Sequence, residues 1–310
     1  MGKKAEPGCM TRAFAMARAR RGRIVMPEME DPRIREAAAR LRAEGLAEPQ
    51  GLEAARPAAA YVDVLLRVRP DMKPSLAARL LEKPLFRAGA MVAAGEADAL
   101  LAGALAPTRR VIEAAAMTIG MSEGVATPSS FFLMLLPDGR EFIFADCAVN
   151  VAPDAAALAD IARASAASAE ALLGSARVAL LSYATGHSGT GPSVELVQAA
   201  AERLAEGGMT LTGPIQADAA LNAAIAQRKG NAGAGDANVL IFPSLDAGNI
   251  AYKLMQELAG AQAIGPFLQG FARPVCDLSR GAGTDAIVAA AAITLARTVA
   301  RTEPVVQNGA

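Results

Sequence analysis

The segment Asp277-Leu278-Ser279-Arg280-Gly281-Ala282-Gly283-Thr284-Asp285 is the part of the chain best equipped for chemistry. A guanidinium such as that of Arg280 forks onto two oxygens of a phosphate or carboxylate. A hydroxyl such as that of Ser279 donates to an oxygen on which negative charge develops. The flanking glycines let backbone N–H groups come close to a ligand. With Thr284 as N-cap, a helix follows whose N-terminus adds partial positive charge. By residue type alone the segment is a site for a phosphorylated or anionic ligand, or a capped loop with a surface Arg. Neither reading names a reaction.

A second segment, Thr185-Gly186-His187-Ser188-Gly189-Thr190-Gly191, lies between a strand ending at Tyr183 and a helix from Ser193, and holds the lone His of the chain. It reads either as an anion cradle or as a plain tight strand-to-helix turn. Thr190 stands where the nucleophile elbow needs its last Gly, and no Lys follows as in a P-loop. There is no H-E-x-x-H, no C-x-x-C and no clustered Asp, so no metal ligands appear at recognisable spacing. Gly230, Gly233 and Gly235 follow Gln227-Arg228-Lys229 rather than a strand and read as a flexible surface loop.

Composition narrows the classes further. Lys and Arg total 31 and Asp and Glu total 31, and this zero net charge argues against a nucleic-acid binder. Apolar residues at 53% with 20% charged exclude a disordered chain. Ala accounts for 74 of the 310 residues, so the bulk of a core must come from Leu, Ile, Val, Met and nine Phe. No run reaches the length of a membrane span, and the N-terminus lacks the apolar stretch of a secretory signal. Cys9, Cys147 and Cys276 are odd in number and far apart, which fits a reducing cytoplasm rather than a disulfide framework. The basic stretch Thr11 to Arg23 is either a targeting helix or, the favoured reading, an ordinary amphipathic first helix.

The elements that must position these residues alternate between strand and helix. Strands are expected at 23–27, 99–103, 130–136, 141–146, 177–183, 213–216 and 239–243, with Pro137-Asp138-Gly139-Arg140 as a hairpin turn. Helices are expected at 31–42, 75–94 with an interruption at Pro84, 108–117, 154–173, 193–206, 247–258 and 284–301. Residues 46–60 read as irregular. Strands separated by helices of this length give a mostly parallel sheet covered on both faces, with ligands at the carboxyl ends of strands. A domain boundary is placed near 145, giving a first α/β domain over 1–145 and a second over 146–289, with a final helix of about 290–310 packing back on the first.

In order along the chain, several blocks resemble the phosphate acetyl/butyryltransferase (phosphotransacetylase) family. They include Arg23-Ile24-Val25-Met26-Pro27-Glu28 with Glu30-Asp31-Pro32-Arg33, Gly95-Glu96-Ala97-Asp98-Ala99-Leu100 with Thr108, and Ser129-Ser130-Phe131-Phe132. Ala145-Asp146-Cys147, Leu181-Ser182-Tyr183-Ala184-Thr185-Gly186 and Gly213-Pro214-Ile215-Gln216 follow. Gly248-Asn249-Ile250-Ala251-Tyr252-Lys253, Ile264-Gly265-Pro266-Phe267-Leu268-Gln269-Gly270 and Asp277-Leu278-Ser279-Arg280-Gly281 complete them. The resemblance implies two three-layer α/β/α domains with mostly parallel sheets, isocitrate/isopropylmalate dehydrogenase-like, and a cleft between them. It implies a cytoplasmic homodimer that exchanges an acetyl or short acyl group between coenzyme A and phosphate in a ternary complex. No metal and no permanently bound cofactor take part, coenzyme A being a substrate. Acyl-CoA and acyl phosphate would be the partners, not a membrane or nucleic acid.

In that scheme Ser279 bonds the acyl carbonyl, Arg280 holds the acyl phosphate, and an Asp takes the thiol proton. Thr108, Ser129, Ser130, Thr185, Gly186, Ser188 and Gly281 are the implied substrate-binding residues. Three departures stand out. The family Asp lies seven residues after the Ser, where this chain has Ala286, which makes Asp285 the candidate base. Glu82-Lys83-Pro84 replaces the family's Arg-Asp-Pro and Glu113-Ala114-Ala115 its Arg-Pro-Ala, with Arg87, Arg109 and Arg110 nearby in sequence. The stretch from Leu46 to Tyr61 is shorter than the family norm. Beside the acyltransferase stands a second reading, a catalytically weakened acyl-CoA- or acyl-phosphate-binding regulatory protein on the same fold. An isopropylmalate-type dehydrogenase is disfavoured by the missing acidic metal ligands.

Overall fold

Short apolar runs divided by amphipathic segments become a covered sheet in the computed structural model, which describes residues 8–186, 188–205 and 208–298. The strands are β1 (Arg23–Val25), β2 (Glu48–Gln50), β3 (Ala99–Ala102), β4 (Ser129–Leu135), β5 (Glu141–Ala145), β6 (Val178–Leu181), β7 (Leu211–Ile215), β8 (Val239–Ile241), β9 (Gln262–Gln269) and β10 (Val275–Asp277). The helices are α1 (Gly8–Arg20), α2 (Pro32–Ala43), α3 (Val62–Val68), α4 (Pro74–Leu81), α5 (Pro84–Ala93), α6 (Thr108–Thr118), α7 (Ala155–Leu173), α8 (Pro192–Leu204), α9 (Ala217–Leu221), α10 (Ala223–Arg228), α11 (Leu245–Ala259) and α12 (Thr284–Ala296).

All ten strands join one continuous sheet in the order β2-β1-β3-β10-β9-β4-β5-β8-β6-β7. The two parallel sheets expected from the sequence are its two ends: β2, β1, β3 and β10 run parallel, as do β5, β8, β6 and β7. Between them β9 pairs antiparallel with both β10 and β4, and β4 antiparallel with β5, so the two parallel blocks run in opposite directions. Residue 145 therefore falls at the end of β5, inside the second block, while β10 and α12 return to the first. Alternate residues of β3 enter opposite cores, Ala99 and Leu101 on one face and Leu100 and Ala102 on the other. That period of two is what coverage on both faces requires.

Helix α12 is apolar all round and buried from Ile287 to Ala296. Its Ala residues leave room for α1 and α2, which pack on it, and Arg20 of α1 donates to the carbonyls of Leu295 and Ala296 at 3.0 and 2.9 Å. The basic first segment is thus a docked structural helix with Cys9, Met10, Ala13 and Ala17 buried. The expected extension of the last helix beyond residue 298 lies outside the described residues. Among the described residues no helix is long and apolar enough to cross a membrane.

Several elements were not expected from the sequence. β2 is the edge sequence Glu48-Pro49-Gln50, and edges tolerate Pro. It fills the stretch read as irregular, together with two short 3-10 turns. β9 carries Gly265 and Pro266, residues that punctuate loops, yet it is central. The register with β4 shifts between Phe131 and Leu133, and that irregularity is where the pair is accommodated. Thr284 is not the N-cap of α12. Gly283 holds that place, and the Thr284 hydroxyl donates to Glu36 Oε2 at 2.8 Å.

Candidate active site

A cavity of about 720 Å³ opens where the two blocks of the sheet meet. One wall is the loop after β3 with the start of α6, and Thr108 lies here. A second is the end of β10 and the loop after it, from Asp277 to Ala282, continued by Ala286 of α12. The third comes from Cys147 after β5 and from Asn249, Tyr252 and Lys253 of α11. Its size suits a small-molecule ligand.

Close packing of backbones builds these walls. At Gly103 the backbone has φ of 104°, and a Cβ there would lie 2.3 Å from Asp277 Oδ1 and 2.7 Å from the Leu278 nitrogen. Only Gly lets β3 pass so near the end of β10. At Gly248 a Cβ would lie 2.3 Å from the Asp146 carbonyl oxygen, so Gly is what allows α11 to abut the segment after β5. The buried Glu28 carboxylate accepts from the N–H groups of Ala104, Leu105 and Ala106 at 2.8, 3.1 and 2.8 Å, which fixes the loop before α6. Arg33, oriented by Asp31 at 2.6 Å, donates to the carbonyls of Arg280 at 2.7 Å and Ala282 at 3.0 Å. It holds the Ser279-Arg280 loop by its backbone, and both side chains stand at the cavity rim, where Ser279 Oγ accepts only a long bond from the Gly281 N–H at 3.4 Å among the described residues.

The charges inside are unevenly matched. Arg280 and Lys253 line the cavity, and neither has an acidic partner among the described residues. The Lys253 ammonium lies 5.0 Å from the centre of the Tyr252 ring, which in turn stacks on Phe132 at 4.2 Å. Two cations without counter-ions favour an anionic ligand. Asp277 is 1% exposed, and apart from the Thr108 hydroxyl neither carboxylate oxygen has a hydrogen-bonding group on it among the described residues. Burial raises its pKa from 3.8 to about 7. The Thr108 hydroxyl beside it opposes the rise through a side-chain hydrogen bond, and Glu28 adds to it. Cys147 is also buried, and burial with the neighbouring Asp146 pushes its thiol well above the ordinary range. It stays protonated near neutrality and is no nucleophile.

The sequence pattern of the phosphate acetyl/butaryl transferases matches residues 53–295. The chain belongs to that family. It is 39% identical over 302 residues to a phosphate acetyltransferase of Nitrosomonas europaea, covering 88% of this chain and 43% of that one. It is 38% identical over 314 residues to a phosphate acetyltransferase of Paracoccus denitrificans, covering 93% and 99%. The chain thus spans less than half the length of the first relative and nearly all of the second. Among solved structures, a phosphotransacetylase from Streptococcus pyogenes is 33% identical with a TM-score of 0.86, over 93% of this chain and 97% of that one. One from Staphylococcus aureus is 32% identical with a TM-score of 0.83, over 94% and 99%.

Within this family member, Ser279, Arg280, Gly281 and Thr108 come together at the cavity. Other expected residues do not. Ser129 and Ser130 are fully buried in β4. The Ser129 hydroxyl accepts from Gln269 Nε2 at 3.4 Å, and that of Ser130 donates to Asp146 Oδ1. Thr185 accepts from the Gln216 N–H at 3.1 Å, and Ser188 Oγ accepts from the Thr185 N–H at 2.8 Å. With Gly186 these residues close a turn whose hydroxyls are used internally, away from the cavity lining. His187 lies outside the described residues. Lys83 and Arg110 line a neighbouring cavity of about 450 Å³ with Glu28, but Arg110 is paired to Glu113 at 2.7 Å.

Asp285 also points elsewhere. Its side chain is 93% exposed and pairs with Arg40 of α2 at 2.5 Å, while Ala286 is the residue that faces the cavity. One residue along a helix is a turn of roughly 100°, enough to exchange these directions. Asp285→Asn is therefore expected to leave kcat and both KM values at the wild-type level in a steady-state acyl-transfer assay. A large loss of kcat would return Asp285 to the site. The residues the sequence left without a role are Glu28, Arg33, Asn249, Lys253 and Asp277. Glu28 and Asp277 lie at or just past the ends of β1 and β10, while Arg33 is on α2 and Asn249 and Lys253 are on α11, and their convergence becomes visible only once strand order is known.

Proposed function

We propose that the protein transfers an acetyl or short acyl group between coenzyme A and phosphate within a ternary complex. The observation that carries this is the Ser279-Arg280 pair at the rim of the cavity, on a loop held by Arg33, in a chain of this family. Arg280 receives the phosphoryl oxygens bidentately. Ser279 donates to the acyl oxygen as the carbonyl becomes tetrahedral. Lys253 on the opposite wall supplies a second cation for the phosphates of coenzyme A. Catalysis then rests on holding two substrates in line, without a covalent enzyme intermediate. The reaction of acetyl phosphate with coenzyme A, followed at the thioester absorbance, tests it. Thioester formation is expected, and binding without turnover overturns it.

The reading includes a homodimer in the cytoplasm, a compartment that suits three unpaired, buried cysteines. Helix α11 carries Ile250, Leu254 and Leu258 on one stripe, 56%, 51% and 82% exposed. A second copy covering this stripe would also brace the helix that brings Asn249, Tyr252 and Lys253 to the cavity. Leu254→Arg is expected to shift the mass seen by light scattering from dimer to monomer. A wild-type protein that is already monomeric refutes the dimer.

A further inference from the structure

Acyl transfer from an acyl phosphate to coenzyme A requires that the thiol lose its proton. The carboxylate expected for this is missing, because Ala286 presents a methyl group to the cavity and Asp285 faces α2. Among the described residues lining the cavity, one carboxylate remains, that of Asp277. We propose that Asp277, reached through the Thr108 hydroxyl, takes the thiol proton of coenzyme A in this chain. The proposal rests on the acyl-transfer reading above.

The geometry favours it in three ways. Asp277 ends β10 two residues before Ser279, so the same strand end places both the proton acceptor and the hydroxyl that meets the acyl oxygen. Apart from the Thr108 hydroxyl its oxygens have no donor among the described residues, and a carboxylate kept solely for structure is normally surrounded by donors, as those of Glu28 and Asp146 are. Its oxygens are also screened from solvent, while Thr108 stands beside it on the cavity wall, so the hydroxyl is the natural bridge. Few charges face it. Glu28 from the loop after β1 is the nearby acid, Cys276 is a buried neutral thiol, and α12 offers only Ala286 and Ala290. A carboxyl that titrates near 7 is well matched to general-base work near neutrality.

The step balances as follows. The S–H bond breaks as its proton passes to Thr108 Oγ1, whose own hydrogen moves to Asp277. Sulfur bonds the acyl carbon, and the carbonyl electron pair moves onto the oxygen beside Ser279. Collapse of that centre breaks the bond to phosphate, which leaves with its electrons towards Arg280. The proton on Asp277 returns to water as products depart.

The test combines rates with stability. In the wild type, kcat falls as pH is lowered through about 7. Asp277→Asn is expected to lower kcat by about 10²–10⁴-fold, to remove that acid limb, and to leave both KM values within about threefold. Thr108→Val is expected to behave similarly, whereas Thr108→Ser recovers most of the loss. Adding Ala286→Asp to Asp277→Asn places a carboxylate at the same cavity and is expected to restore part of the rate. Denaturation gives a readout independent of activity. The folded carboxyl binds its proton more tightly than the unfolded chain does. The wild type therefore loses stability relative to Asp277→Asn as pH rises from about 4 to about 7. Wild-type kcat and pH profile in Asp277→Asn overturn the proposal. Thr108→Ser as slow as Thr108→Val overturns the relay. An inactive wild type refutes the acyl-transfer reading instead.

Discussion

Asp146→Ala is expected to cost about 3–5 kcal/mol of folding stability, measured by urea denaturation at neutral pH. Asp146 is buried at the end of β5, and its two oxygens serve a whole turn. Oδ1 accepts from the Ser130 hydroxyl and from the N–H of Ala148 at 3.0 Å. Oδ2 accepts from the Asn150 N–H at 2.9 Å and its side-chain amide at 2.6 Å. Truncation leaves these donors, the buried Ser130 hydroxyl among them, without their acceptor, and hydrogen bonds to a charged group are the costlier ones to lose. Asp146→Asn keeps the shape and one acceptor oxygen, so its cost is expected to be about half as large. The cavity suffers too, because the turn carries Cys147 and Ala148 to its wall and Gly248 of α11 rests on the Asp146 carbonyl. A loss below about 1 kcal/mol would mean that the turn is organised by something else.

The same residues show what the sequence could and could not disclose. Ser130 is the second residue of a strand of Phe and Leu and has the right chemistry for a ligand, but a hydroxyl in β4 points into a core whose contents depend on strand order. Asp146 lies 16 residues away along a hairpin. Long apolar runs with helices between them are legible, since periodicity and turn chemistry are local: β3, the β4–β5 hairpin, α2 and α7 all form near their expected places. What was not legible is non-local. β9 is assigned no element from the sequence, since Gly265 and Pro266 interrupt its pattern, and only its neighbours β4 and β10 make it a strand. Asp285 and Ala286 differ by one helical position, and which of them faces the cavity is decided by how α12 packs on α1 and α2. Arg33 reads as an ordinary first-turn residue of α2, although it grips a loop 247 residues away.

Arg280→Ala is expected to raise KM for acetyl phosphate roughly 10- to 150-fold, the equivalent of about 1.5–3 kcal/mol for a hydrogen-bonded charge. KM for coenzyme A should move far less, since Lys253 stands on the opposite wall. The size follows from the setting. Arg280 has no acidic partner among the described residues, so its charge is not already spent within the protein. Its backbone is pinned by Arg33 at 2.7 Å, which leaves the side chain as the part free to meet a ligand. Arg280→Lys keeps the charge but loses the planar fork, and is expected to recover only part of the loss. Full recovery by Lys would mean that a point charge suffices and that the phosphoryl group is not held by two parallel bonds. Unchanged kinetics in Arg280→Ala would remove Arg280 from the site altogether. Because this contact is made to the ground-state substrate as well as in the transition state, the loss should appear mainly in KM. A variant that instead lost kcat alone would show that Arg280 grips only the charge that develops as the acyl–phosphate bond breaks.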